Sequence, residues 1–128
     1  MKLGYVIHYV PDVSATVAFY EKAFGLQRRF LHESGTYAEM ETGATALAFA
    51  SEALSKENGL TVRFHRPDED AAAVEVALVT PDVQAAFERA VKAGARPAQP
   101  PKTKPWGQTV AWVRDLDGAL VELCTPMS

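Results

Sequence analysis

A chain of 128 residues carries enough material for one domain that buries roughly two-thirds of its unfolded surface, and too little for two independent ones. Its composition, 48% hydrophobic and 23% charged, excludes a disordered or fibrous chain. A net charge of −3, with the positive residues scattered, leaves no footprint for nucleic acid or an anionic membrane surface, so a small molecule is the expected partner.

The N-terminus, Met1-Lys2-Leu3-Gly4-Tyr5, runs at once into an alternating apolar pattern without the layout of a signal peptide, and no segment has the length of a membrane span; the expected location is the cytoplasm. The single cysteine, Cys124, has no intramolecular disulfide partner and apolar neighbours, which place it in the core.

Residues 3–10 are rich in β-branched and aromatic types and stop at Pro11, so they read as a strand. Asp12 is placed to cap a helix whose apolar residues Val13, Val17, Tyr20 and Phe24 recur at helical spacing before Gly25 ends it. Extended segments follow at about 27–33, 36–41 and 44–50, divided by Glu33-Ser34-Gly35 and Thr42-Gly43. A polar stretch from about 52 to 71, with Pro67 and the run Asp68-Glu69-Asp70, reads as a linker.

The same order of signals then returns. Residues 74–79 read as a strand, Asp82 as a cap, and Val83, Ala86, Phe87, Ala90 and Val91 as an apolar helical stripe ending at Gly94. Pro81-Asp82-Val83 lies 70 positions after Pro11-Asp12-Val13, and the chain closes on segments near 107–114 and 118–124 around Asp115-Leu116-Asp117-Gly118. The reading is a single α+β domain over 1–128, made of two tandem βαβββ units, unit one about 1–51 and unit two about 72–128. Two small sheets with one unhidden face each are expected to pair, curling into a cup with the helices outside.

Two stretches carry a family resemblance. Phe19-Tyr20-Glu21-Lys22-Ala23-Phe24-Gly25-Leu26 resembles the helix end, and Asp115-Leu116-Asp117-Gly118-Ala119-Leu120-Val121-Glu122-Leu123 the terminal hairpin, of the vicinal oxygen chelate superfamily of glyoxalases, bleomycin-resistance proteins and extradiol dioxygenases. The resemblance covers essentially the whole chain. It implies metal-ligand positions on the first and last strand of each unit, which fall here on Tyr5, on Ala48 or Leu47, on Glu75 and on Glu122. Transition-metal centres generally need three or more strong protein ligands. Two of these positions offer a carboxylate, so no metal cofactor is expected; the alternative is a divalent ion such as Mg²⁺, held by Glu75 and Glu122 with waters and substrate oxygens.

Strand alternation separates the remaining candidates. His8 falls on the face opposite Tyr5, Ile7 and Tyr9 and reads as a packed residue, while His32 and His65 read as surface or rim. Glu75 interrupts an apolar strand on the face away from Val74, Val76 and Leu78, and Glu122 lies between Val121 and Leu123. If both face one cavity, their repulsion raises one pKa and leaves a proton for transfer. Gln108 and Trp112 share parity on a strand, and with Trp106 they suit a flat or amphipathic ligand. Arg28-Arg29 and Lys102-Thr103-Lys104 read as solvated basic pairs.

The resulting expectation is a small-molecule-binding protein of the glyoxalase and bleomycin-resistance type, sequestering an amphipathic or aromatic compound on Tyr5, Glu75, Trp106, Gln108 and Glu122. The alternative is a metal-dependent lyase, isomerase or dioxygenase of the same superfamily acting on a substrate with vicinal oxygens, with Glu75 and Glu122 as catalytic candidates. The sequence leaves enzyme against binding protein open. The resemblance further implies a homodimer, with units pairing within or between chains.

Overall fold

The computed structural model describes residues 1–127 and divides into two compact units, Met1–His65 and Arg66–Ser128, of which the last residue is not described. The first unit runs β1 (Tyr5–Val10), α1 (Val13–Phe24), β2 (Gln27–Leu31), β3 (Tyr37–Glu41), β4 (Ala46–Ser51) and a short helix α2 (Glu52–Glu57). The second runs β5 (Glu75–Val79), α3 (Val83–Lys92), β6 (Arg96–Thr103), β7 (Thr109–Arg114) and β8 (Leu120–Cys124). Each unit is therefore a βαβββ motif, as the repeat predicts. Helix α2 occupies the start of the stretch read as a linker; Ser51 caps it by accepting from the Ala53 N–H, and at six residues it is too short for a helical period to show in the sequence.

Both sheets have the same topology. In the first the order is β1-β4-β3-β2 and in the second β5-β8-β7-β6, so each is an open four-stranded sheet in which the first strand lies parallel to the last and the other pairs are antiparallel. A parallel pair needs a crossover, and the helix after the first strand begins it. Equivalent caps set the start of each crossover. The Asp12 carboxylate accepts from Ala15 N–H at 3.1 Å and Asp82 from Ala85 N–H at 3.0 Å, which satisfies one orphan amide in each first turn. Gly25, at φ +68°, ends α1 in the left-handed conformation that a side chain resists, with its N–H returned to the Glu21 carbonyl.

The core of the first unit sits between α1 and the helix-facing side of its sheet. Val13, Val17, Tyr20 and Ala23 from the helix and Met40, Leu47 and Phe49 from the strands are buried. Tyr20 and Phe49 stack at 4.9 Å between centroids, and Phe24 closes on Tyr20 at 5.0 Å, the spacing at which tilted aromatic pairs attract beyond their area burial. His8 belongs to this side, its ring meeting Phe49 at 6.2 Å and His65 at 5.3 Å. His65 is thus half-buried against another imidazole, because the chain folds back after α2. In the second unit Val83 and Ala90 of α3 and Val113, Val121 and Leu123 are buried.

The terminal hairpin is fastened by its own turn. Asp115 is buried, and its Oδ1 accepts from the N–H groups of Asp117 and Ala119. Arg114 donates to the carbonyls of Gly118 and Arg66, and Arg96 donates to that of Pro67, so two guanidiniums tie the start of the second unit to its sheet. Gly118 makes this approach possible: at φ +93° it has no side chain, and a Cβ there would lie 2.5 Å from the Arg66 carbonyl oxygen.

Two substitutions test this packing by chemical denaturation. Phe49→Ala is expected to lower stability by about 3–5 kcal/mol, the range for emptying an aromatic core site. Gly118→Ala is expected to cost about 1–3 kcal/mol from backbone strain alone, with more from the clash.

Candidate functional site

Side chains on a strand alternate, and register neighbours on adjacent strands share a face. In the second sheet Glu75 lies opposite Leu120, Ala77 opposite Glu122 and Val79 opposite Cys124, while Trp112 lies opposite Glu122 and Val110 opposite Cys124. The face turned away from α3 therefore carries Glu75, Ala77, Val79, Glu122, Cys124, Val110 and Trp112 together. The buried Val113, Val121 and Leu123 take the other side.

The two glutamates meet. The Trp112 indole N–H donates to Glu75 Oε1 at 3.1 Å, which fixes both the ring and the carboxylate. Glu122 is half-buried beside them, and its pKa is pushed up to about 7, first by burial and then by the hydrogen bond and the charge it shares with Glu75; Cys124 and the more distant Lys104 pull the other way. Burial, with Glu122 adding to it, also raises the thiol of Cys124 above its ordinary value, so this cysteine stays protonated at neutral pH. Among the described residues no Lys or Arg lies within ion-pair distance of either glutamate. The Lys104 ammonium sits over the Trp112 ring, 5.8 Å from its centroid.

Trp106 and Gln108 form a second cluster at the turn between β6 and β7. The Trp106 indole N–H donates to Gln108 Oε1 at 3.0 Å, and the Gln108 amide donates to the Thr125 carbonyl at 3.0 Å. Trp106 remains 62% exposed, so its ring is fixed in orientation yet open to contact. With Gly107, Pro126 and Met127 the two residues line a cavity of about 310 Å³, at the lower end of the range for small-molecule pockets.

The fifth predicted residue, Tyr5, stands on the first unit's sheet. There Tyr5 is opposite Ala46, Ile7 opposite Ala48 and Tyr9 opposite Ala50. The register resolves the ambiguity between Ala48 and Leu47: Ala48 shares the face of Tyr5, and Leu47, opposite Val6, points to the helix side. Tyr5 is 57% exposed and Ala48 fully buried. The same face holds a cluster that sequence reasoning missed. Arg29 donates to both Glu41 oxygens at 2.8 and 2.9 Å and to the Gly43 carbonyl, and lies 3.6 Å from Glu39, while the Tyr37 hydroxyl donates to Glu39 at 2.8 Å. Burial and the neighbouring Glu39 push Tyr37 up to about 12. Its signal is present as Tyr37, Glu39 and Glu41 at period two, one face of one strand; Arg28 and Arg29 are exposed, as expected of solvated basic residues, and each also bonds a glutamate, Arg28 to Glu21.

The donor set does not fit a transition-metal centre. The four family positions hold a phenol, a methyl group and two carboxyls, and among the described residues no three His, Cys, Asp or Glu side chains gather to hold an ion.

A duplicated βαβββ chain of two like four-stranded sheets, each with its first strand parallel to its last, defines the class of fold to which the chain belongs. The chain belongs to the Glyoxalase/Bleomycin resistance protein/Dioxygenase superfamily, whose model matches residues 2–123. Among solved structures it resembles a glyoxalase-related enzyme from Fulvimarina pelagi, with TM-score 0.82, 21% identity and coverage of 98% of this chain and 88% of that one. TioX from Micromonospora sp. ML1 matches at TM-score 0.74 and 24% identity over 98% of both chains. A glyoxalase/bleomycin resistance protein/dioxygenase family enzyme from Burkholderia phytofirmans PsJN matches at TM-score 0.78 and 20% identity, again over 98% of both. At these identities the likeness is one of fold. No curated protein matches the chain, and none of its described helices is long and apolar enough to cross a membrane.

The raised Glu122 pKa has a consequence for stability. The folded chain holds this proton from the ordinary value of 4.5 up to about 7, where the unfolded chain has released it. Stability contributed by Glu122 is therefore present below about pH 4.5 and lost as pH rises toward and through 7. Melting temperature measured from pH 5 to 8 is expected to fall more steeply in the native chain than in Glu122→Gln, which has no proton to lose.

Proposed function

We propose that this chain is a small-molecule-binding protein that sequesters an amphipathic or aromatic compound on the open face of its second sheet and the adjoining β6–β7 turn. One observation carries the reading: Trp106 presents an exposed ring whose orientation is already set by Gln108 and Thr125, beside a cavity of about 310 Å³. An aromatic surface that loses little freedom on binding is what a flat ligand needs, since side-chain ordering is a main cost of association. Glu75 and Glu122 supply acceptors, and Glu122 in its protonated form a donor, for the polar part of such a molecule. Tyr5 joins the ligand set in this reading through the resemblance, and the reading requires no metal. The same resemblance supports a homodimer.

A second reading rests on a separate observation. A carboxyl poised at about pH 7 next to an ionisable partner suits general acid–base catalysis, in which a proton is moved at a carbon beside a carbonyl. An isomerase of this kind would use Glu122 as the proton carrier and Glu75 as the group that tunes it. Proton–deuterium exchange of a simple α-hydroxyketone, followed by NMR, separates the two: exchange lost in Glu122→Gln supports the enzyme, and exchange equal to buffer supports the binding protein.

Calorimetric titration with 2-naphthol tests the leading reading. Saturable binding is expected in the native chain, and Trp106→Ala is expected to weaken it about three- to tenfold, the worth of an aromatic contact, with melting temperature unchanged. Unaltered affinity in Trp106→Ala sinks the assignment of this ring.

A further inference from the structure

We propose, on the reading that this face and turn hold a small molecule, that Lys104 is a specificity-determining residue and selects aromatic ligands bearing an anionic group, of the aryl carboxylate class. Lys104 stands two residues before Trp106 in the same turn. The turn is closed by backbone bonds on both sides of the lysine: its N–H donates to the Gln108 carbonyl at 2.8 Å and its carbonyl accepts from Gly107 N–H at 2.8 Å. The root of the side chain is therefore held where the exposed ring is held. Gly107, at φ +92°, adopts the left-handed conformation that closes the turn, with nothing within 4 Å of where a Cβ would stand.

The ammonium end is in an unusual position for a lysine. The residue is half-buried, its Nζ faces the Trp112 indole at 5.8 Å, and among the described residues no carboxylate lies within ion-pair distance of it. An ammonium beside an indole gains a weak attraction from the ring that leaves its hydrogen-bonding capacity open. A carboxylate carried by a ligand completes its coordination. The first unit shows the opposite arrangement, where the Arg29 guanidinium already bonds Glu41 and the Gly43 carbonyl and lies 3.6 Å from Glu39, so its charge is answered within the unit. Lys104 is thus a cation in the same turn as an aromatic platform, near enough to Glu122 to act on its charge but, among the described residues, in ion-pair contact with no carboxylate.

The two ends of the region then define a ligand. A ring stacks on Trp106 and its carboxylate pairs with Lys104, on the side where the lysine meets the Trp112 indole.

Three probes with one ring system separate charge from shape: 2-naphthoate, 2-naphthol and 2-naphthylmethylammonium, titrated calorimetrically into the full chain at low salt. The naphthoate is expected to bind about tenfold more tightly than the naphthol, the scale of one partly desolvated ion pair, and the ammonium more weakly than either. Lys104→Ala should abolish the naphthoate advantage and leave naphthol affinity in place, Lys104→Arg should restore it, and Lys102→Ala should leave it intact. Equal affinity of the three probes in the native chain, or an advantage that survives Lys104→Ala, overturns the proposal while leaving the binding site standing. Failure of all three to bind removes the site itself, and the proposal with it.

Discussion

The parallel pairing of the first strand with the last in each unit is the constraint on which the rest depends. Because side chains alternate, the register Ala77 to Glu122 sets Glu75, Glu122 and Trp112 on one side of the second sheet and Val113, Val121 and Leu123 on the other. A slip of one residue would turn Glu122 onto the apolar side and Leu123 outward. The cost of burying a carboxyl among aliphatic groups, together with the lost burial of Val121 and Leu123, makes such a slip prohibitive. The buried Asp115, holding two amides of the turn before β8, fixes where that strand starts. Chemistry on the open face is thus enforced by packing on the hidden one.

Much of this was legible in the sequence because local and long-range signals agree. Asp12 and Asp82 announce the helices, the 70-residue offset announces the duplication, and period-two alternation separates His8 from Tyr5 and Val76 from Glu75. The face shared by Glu75 and Glu122 follows from the same alternation once the strands pair. What stayed hidden depends on contacts between distant segments. Nothing in Lys102-Thr103-Lys104 reveals that one of its two lysines lies over an indole, since that needs the hairpin to fold. Nor does the local sequence reveal that Arg29 pairs with Glu39 and Glu41 of the next strand or that His65 meets His8, since both need distant segments to come together.

The site also shows how one environment gives neighbouring groups unlike properties. Glu75 is exposed and tied to Trp112, while Glu122 is half-buried and held partly protonated near neutrality. The Cys124 thiol is also made less acidic, by its burial first and then by the hydrogen bond and charge of the Glu122 carboxyl. Loss of water is the largest cause for both groups, and charge adjusts the outcome. The aromatic residues around them stay available because Trp106 and Trp112 spend their N–H groups on Gln108 and Glu75.

The unequal treatment of carboxylates in the two halves bears on what duplication does to a protein. In the first half Glu39 and Glu41 both have Arg29 within ion-pair distance, so each carboxylate there has a cationic neighbour. In the second half two carboxyls and a lysine are left facing an indole with no partner of opposite sign in contact. A copied scaffold permits this division of labour: one copy settles into architecture, and its twin is free to vary. Divergence among relatives that handle different compounds should accordingly concentrate in the second copy, around the turn at 104–108 and the strand position of Glu122, with the first copy changing mainly as a packed body does.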